Sequence, residues 1–366
     1  MLVKDYLLNR IGSNYNSKII IFQSDDWGSI RMPSKKIFEI LNNHNAISIN
    51  NDYCKYDTLA SAEDLEYFFE ILTSFKDCEG RHPVISANCI LANPDFSKIK
   101  DNDYQKYYYD DLKTSFQKYN NEKALKLWKE GLDNNIFIPQ FHGREHVNVP
   151  FWLHCLKNDV PGVRYAFDNE VFGVTFKSLP QNQTNFQRAW DLLTPNSIDY
   201  INQSIKEGLD IFEQKFGFQS RTVIAPNYTW TINQEALLKT KGVKYMQGIL
   251  RQRVPKGYNK PYEYKYRITK KFKNKSIGFL RRNVFFEPSY TKENYRLDIA
   301  MQKIAMAFKA KKPAIIGTHR INYVGVHSER NRDQNLILLR ELLKSIIKKW
   351  PDVIFLASPD IDNERN

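Results

Sequence analysis

Four short clusters combine residue types that can do chemistry. The first, Gln23-Ser24-Asp25-Asp26-Trp27-Gly28-Ser29, sets two adjacent carboxylates directly after the apolar run KIIIF. At the C-terminal end of a strand such a doublet can supply one metal ligand and one general base. Neighbouring carboxylates repel each other unless a cation separates their roles. Taken alone, the doublet reads equally well as a helix N-cap or an Asx turn. The second cluster, Phe141-His142-Gly143-Arg144-Glu145-His146, spaces two histidines at i and i+4. On a helical turn these share one face and can reach one ion. A strand-end Asp with two imidazoles gives three protein ligands and an open fourth position, the arrangement of catalytic zinc. The same donors suit Co, Ni, Fe or Mn. Ala225-Pro226-Asn227-Tyr228-Thr229-Trp230 and Thr318-His319-Arg320 follow later apolar runs. A lone His near a strand end is commonly a hydrogen-bonded core residue. As the fourth cluster at the same kind of position, His319 becomes a candidate general acid opposite an Asp base.

The elements that must position these clusters are short apolar runs at 18–23, 83–91, 136–141, 221–225, 243–248, 313–318 and 352–357. Runs apolar on both faces are the pattern of parallel strands covered by helices. Helices are expected between them, at 61–75 with a Ser-x-x-Asp capping start, and at 195–216, 231–241, 291–310 and 328–350. Alternating β and α without a linker or internal repeat argues for one α/β domain over 1–366, a barrel-like sheet of about seven parallel strands. Residues 251–283 break the pattern. Tyr262, Tyr264, Tyr266 and Ile268 alternate with Glu263, Lys265 and Arg267, a strand period. A KNKS turn at 273–276 and the run SIGFLRRNVFF then suggest an inserted antiparallel hairpin.

That segment also holds the charge. The chain carries a net +13, and residues 251–282 hold twelve Lys/Arg against the single acid Glu263, leaving the rest of the molecule nearly balanced. With 42% hydrophobic and 14% aromatic residues the chain is too apolar for disorder. The first 18 residues lack the apolar stretch of a secretory signal, and no uncharged run reaches the ~20 residues of a membrane span. Cys54, Cys78, Cys89 and Cys155 form no CxxC pair and are too sparse for a disulfide scaffold, so free thiols and a cytoplasmic location are expected. No groove-reading or RNA-binding motif accompanies the basic segment, and nucleic acid is not an expected partner. The sequence is silent on oligomeric state.

Asp-Asp after strand one, His-x-x-x-His, a Pro-containing strand-end loop and a late strand-end His resemble the polysaccharide deacetylase family (carbohydrate esterase family 4, the NodB homology domain) from about Lys18 to Ser358. The resemblance implies a distorted (β/α) barrel holding a divalent metal, zinc first, on Asp26, His142 and His146. It implies Asp25 as the base that activates water and His319 as the acid that protonates the leaving amine. The implied reaction is hydrolysis of an N-acetyl, alternatively O-acetyl, group on a sugar of a glycan. Trp27, Tyr228, Trp230 and Tyr323 flank the motifs and can stack on sugar faces or serve as aromatic core. Arg144, Asn227 and Arg320 stand beside the motif residues as substrate contacts.

Two departures stand out. The family's third motif, Arg-x-Pro-Tyr, aligned on Pro226, places Ile224 at the Arg position and Asn227 at the Tyr position. The arginine that steadies the base is then to be sought in Arg144, Arg282 or Arg320. Glu145 adds a carboxylate between the two histidines, where it could stand beside the ion. Alternatives are a metal-dependent amidase on another C–N bond, a metal-free barrel glycosidase, and a catalytically silent glycan-binding relative. The basic segment suits an anionic glycan or a sugar on a phosphate-bearing lipid, with Lys270, Lys271 and Lys273 as its contacts, or else a solvated face.

Overall fold

Each of the seven apolar runs becomes a parallel strand in the computed structural model, which describes residues 8–49, 52–273, 276–290 and 296–363. The strands are β1 (Lys18–Trp27), β2 (Ile85–Ile90), β3 (Phe137–Gly143), β4 (Thr222–Ile224), β5 (Tyr245–Gly248), β6 (Gly278–Arg281), β7 (Val284–Phe285), β8 (Ala314–His319) and β9 (Val353–Phe355). Their order across the sheet is β6-β5-β4-β3-β2-β1-β8-β7, with every pairing parallel. The two edge strands β6 and β7 are successive pieces of one stretch. Between them, the Arg282 N–H donates to Gly248 on one side and the Asn283 N–H to Ile315 on the other. The stretch 278–285 thus acts as one stave, and the sheet curls into a distorted (β/α) barrel. β9 pairs with Lys18–Ile20, below the point where β2 joins β1.

The expected hairpin about the KNKS turn is present only as two antiparallel bridges, Lys270 with Phe279 and Lys273 with Ser276, and β6 and β7 correct the reading of the rest of 276–286 as its second half. An antiparallel hairpin does pair Arg251–Val254 with Glu263–Tyr266. The tip of the expected KNKS turn, 274–275, lies outside the described residues. Val284, Leu280 and Ile277 are buried, and burial on both faces recruits the second run to the barrel rather than to the ribbon.

The expected helices form at Ala62–Thr73, Ser197–Phe216, Ile232–Thr240, Leu297–Lys309 and Glu329–Lys349. Residues 291–295 of the fourth lie outside the described residues. Ser61 and Asp64 close a reciprocal capping box. These helices cover the barrel with the main apolar core. Inside it, Ile19, Ile21, Tyr245, Leu280 and Ile315 meet Leu356 and Ile361 of the last turn, which plug the N-terminal end. A second core, absent from the sequence reading, gathers Met32, Leu41, Ile47, Ile99, Trp152, Phe167 and Phe176 from the long loops after β1, β2 and β3. It builds a layer beside the C-terminal strand ends. No disulfide joins the four cysteines, of which Cys54, Cys89 and Cys155 are buried and Cys78 is exposed. Among the described residues no helix is long and apolar enough to cross a membrane.

Candidate active site

Successive residues of a flat strand point to opposite faces, so two neighbouring carboxylates cannot both look into a barrel without a break in the strand. β1 supplies that break. Its register against β2 shifts between Ser24 and Trp27, and Asp26 has φ +72°, a left-handed backbone at a non-glycine residue. The bulge brings both Asp25 and Asp26 onto one cavity of about 560 Å³. Gly28, at φ +86°, completes the turn. A Cβ there would meet the Ile90 carbonyl oxygen at 2.4 Å.

His142 is the last residue but one of β3, and the chain turns at its end, Gly143, φ +136°. His146 therefore comes from a loop, because the next helix begins only at Val149. This corrects the expectation of a helical turn, although the i, i+4 pair still converges. The Nε2 atoms of His142 and His146 lie 3.3 and 3.4 Å from Asp26 Oδ1. One ligand atom from each of the three residues lies within 4.8 Å of the others, and all three are buried. His142 Nδ1 lies 2.9 Å from the Ile224 carbonyl, a bond that fixes Nδ1 as the protonated nitrogen and turns the Nε2 lone pair inward. Burial pushes His146 down to about 3, so its ring is neutral, and its Nδ1 is buried without a hydrogen-bond partner among the described residues. Two imidazoles and one carboxylate are a donor set that fits a divalent ion.

The second oxygen of Asp26 accepts from Arg31 at 3.0 Å, and Arg31 also pairs with Asp57, which in turn holds Arg320. Burial alone would raise the Asp26 carboxyl, but the Arg31 charge beside it holds it well below the usual carboxylate range. Arg31 thereby leaves a single oxygen facing the imidazoles. Arg31→Met is expected to weaken zinc binding by about tenfold or more, as losses of groups that orient a ligand do, read by competition against a chelating dye.

Asp25 belongs to a different circuit. Arg282 binds it as a fork, Nη1 to Oδ2 at 2.7 Å and Nη2 to Oδ1 at 2.6 Å, while Asn88 donates to Oδ1 at 2.7 Å. Burial would raise this carboxyl too, and the Arg282 charge and hydrogen bonds lower it instead. Of the three arginines considered, Arg282 is the one on Asp25. It enters from the stave closing the barrel, far in sequence from Ile224.

Parallel register sets Asp25 directly opposite His319 on β8. His319 Nε2 lies 3.5 Å from Asp25 Oδ2, and its Nδ1 lies 2.5 Å from Glu287 Oε1. Burial would lower His319, but Glu287, helped by Asp25 and Asp26, raises it to about 9. Glu287 is held from its other oxygen by Asn322 at 2.6 Å. The sequence reading missed Glu287, although it directly follows the apolar run VFF as a strand-end acid. Assigning that run to a hairpin hid the signal.

The remaining candidates divide. Asn227 and Tyr228 line the cavity in consecutive left-handed conformations, φ +53° and +55°, and Tyr228 Oη accepts from Arg282 at 3.3 Å. Trp27, Trp230 and Tyr323 do not reach it. Trp27 stacks on Phe68 and meets Phe137 edge-on, Tyr323 stacks on Phe68, and Trp230 donates to Glu235. All three are fully buried aromatic core. Arg320 is buried on Asp57 and on the Ser29 carbonyl. Arg144 is spent on Glu145, Glu207 and Tyr200. Glu145 accepts from Arg144 and Ser204, so its charge is used away from the two imidazoles. Arg31, Tyr53, Gln187, Ile249, Phe285 and Tyr290 were not anticipated and complete the wall. Trp27→Ala is accordingly expected to cost about 3–5 kcal/mol in denaturant unfolding, the loss of a core aromatic, while KM for the substrate stays within about twofold.

Part of the basic segment is used within the structure. Arg267 pairs with Glu235, Arg281 with Asn9, Arg282 with Asp25, and Lys256 with Glu263 at 3.0 Å. Lys270 bonds Phe279, and Lys271 lies over Tyr15, part of the core that plugs the N-terminal end of the barrel. Lys270 and Lys271 are therefore corrected as substrate contacts, being at the end of the barrel away from Asp25. Lys273 bridges Ser276 on the same leg.

No family model matches the sequence, and no curated protein matches it. Solved structures do match along most of its length. A probable polysaccharide deacetylase from Pseudomonas aeruginosa PAO1 superposes with TM-score 0.42 at 8% identity, over 95% of this chain and 91% of that one. The α-amylase AmyC from Thermotoga maritima gives 0.44 at 8%, over 96% and 75%. The 4-α-glucanotransferase from Thermococcus litoralis gives 0.45 at 9%, over 96% of this chain but only 41% of the larger protein.

Proposed function

We propose that the protein is a metal-dependent hydrolase that removes an N-acetyl group from a sugar of a glycan. The observation that carries this reading is the convergence of three units on one cavity: the Asp26/His142/His146 donors, the Arg282–Asp25 fork and the Glu287–His319 pair. The metal-ligand motif and its resemblance to the deacetylase family support the choice of substrate class.

A divalent ion on Asp26, His142 and His146, zinc first, would polarise the acetyl carbonyl and acidify a water. The protein's own groups divide the proton work. Asp25, ionised and held by Arg282, takes the proton as the water oxygen attacks the carbonyl carbon. His319, charged at neutral pH and steadied by Glu287, gives a proton to the nitrogen as the C–N bond breaks. Acetate and a free amine result. The imidazolium and the carboxylate face each other at 3.5 Å, so acid and base sit on one side chain level without neutralising the other's role. Tyr53 meets the His319 ring edge-on at 5.4 Å and, with Tyr228 and Tyr290, offers aromatic faces for a sugar.

The test is acetate release from N-acetylglucosamine oligosaccharides by the zinc-loaded protein. If His319 is the acid, kcat/KM falls on the alkaline side as its imidazolium loses the proton, and His319→Gln removes that limb along with most of the rate. The same group makes a stability prediction for the metal-free protein. A folded value raised above the ordinary 6.5 stabilises fully below pH 6.5, and that contribution fades as pH rises through about 9. Urea midpoints across that window should decline in the wild type and flatten in His319→Gln.

A further inference from the structure

Beyond the catalytic cavity, the hairpin Arg251–Val254/Glu263–Tyr266 presents a surface that ordinary folding does not require. Direct cross-strand partners share a face, so Arg251 lies with Tyr266 and Arg253 with Tyr264. The Arg251 guanidinium stacks 3.7 Å from the centre of the Tyr264 ring. The opposite face is used internally: Val254 is buried, and Gln252 donates to the Trp230 carbonyl and accepts from Arg267. The outward face is left with Tyr264 and Tyr266, 43% and 73% exposed, and Tyr258 at the turn is 47% exposed. Large aromatics kept in water beside stacked guanidinium groups are typical of recognition surfaces.

The ribbon is fastened to the walls of the cavity. Arg253 bridges Thr229, directly after Asn227 and Tyr228, and Arg188, next to Gln187, donates to Tyr262 Oη at 2.8 Å. The Arg251 strand starts two residues after the cavity residue Ile249. A chain whose reacting sugar sits in the cavity therefore has this face alongside it. Between 251 and 266 the ribbon carries Arg251, Arg253, Lys256, Lys260 and Lys265 against Glu263 alone.

We infer that the outward face of the hairpin is a docking platform for the flanking part of an acidic polysaccharide, with sugar rings on Tyr264 and Tyr266 and carboxylates against Arg251 and Arg253. This rests on the hydrolase reading for its sugar chemistry, but binding tests it separately from turnover. The probes are polygalacturonate and its methyl ester, which share a backbone and differ in charge, run against the full-length protein by affinity electrophoresis. The wild type should bind polygalacturonate more tightly than the ester, with an affinity that falls as salt rises. Tyr264→Ser/Tyr266→Ser should weaken both by about tenfold at an unchanged melting temperature, the size expected for two lost aromatic contacts. Arg251→Gln/Arg253→Gln should abolish the preference for the acid form. Asp25→Asn should bind as the wild type does, so wild-type protein that binds polygalacturonate but releases no acetate from N-acetylglucosamine oligosaccharides would sink the hydrolase reading and leave the platform standing. Equal binding by the tyrosine variant and the wild type, or tighter binding of single-stranded DNA than of polygalacturonate, would overturn the platform.

Discussion

Asp25→Asn is expected to lower kcat/KM for acetate release by about a thousand-fold or more while the bound zinc stays at the wild-type level. The amide keeps the shape, and with its oxygen at the Oδ1 position it accepts from Arg282 Nη2 and from Asn88, but it cannot take a proton, and base removal commonly costs 10²–10⁴-fold. Asp26, His142 and His146 do not depend on it, so metal content by atomic emission is the internal control. A variant within about tenfold of the wild type would remove Asp25 from the chemistry. His142→Ala should instead lose metal and rate together, and that contrast separates ligand from base.

Replacing Arg282 by Met carries the second large effect, about a hundred-fold in kcat/KM with a changed pH dependence, since a base held out of line by a small displacement already costs that much. Burial of Asp25 then acts without its largest opponent, its carboxyl rises, and the acid limb of the kcat/KM profile moves to higher pH. The sign for stability follows from the same shift. A carboxyl held below the ordinary 3.8 stabilises above that pH and loses its contribution as pH falls below it, so the variant should show less acid destabilisation of its own. At neutral pH it should nonetheless be less stable by about 3–5 kcal/mol, because Asp25 is left as a buried charge without its partner. Arg282→Lys should fall between, having the charge but not the fork. An unshifted acid limb in Arg282→Met would show that Arg282 does not set the state of Asp25.

Periodicity and motif spacing made the barrel legible because seven of its strands are buried on both faces and so read as continuous apolar runs. The stave 278–285 was illegible for the converse reason. It is short, split at Arg282, and embedded in basic residues that resemble a solvated ribbon, although those cations end on Glu235, Asn9 and Asp25. Losing that stave also concealed Glu287 and left Arg282 as one of three arginines. Only register across the sheet, β1 against β8 and the closing stave against both edges, brings Asp25, His319 and Arg282 together. Spacing located Asp26, His142 and His146, yet the geometry that unites them is a strand bulge and a glycine turn rather than a helix face. The aromatic candidates Trp27, Trp230 and Tyr323 failed because a tryptophan or tyrosine beside a motif buries as readily inward as toward a ligand.

The central claim is tested most directly by one paired measurement, zinc content and acetate release from an N-acetylated oligosaccharide on the same purified sample, before and after chelation and re-addition of zinc. About one zinc per chain, with acetate release lost on chelation and restored on re-addition, is the predicted result. A protein that holds no divalent ion at micromolar zinc, or that releases acetate equally with and without it, would contradict the assignment of Asp26, His142 and His146.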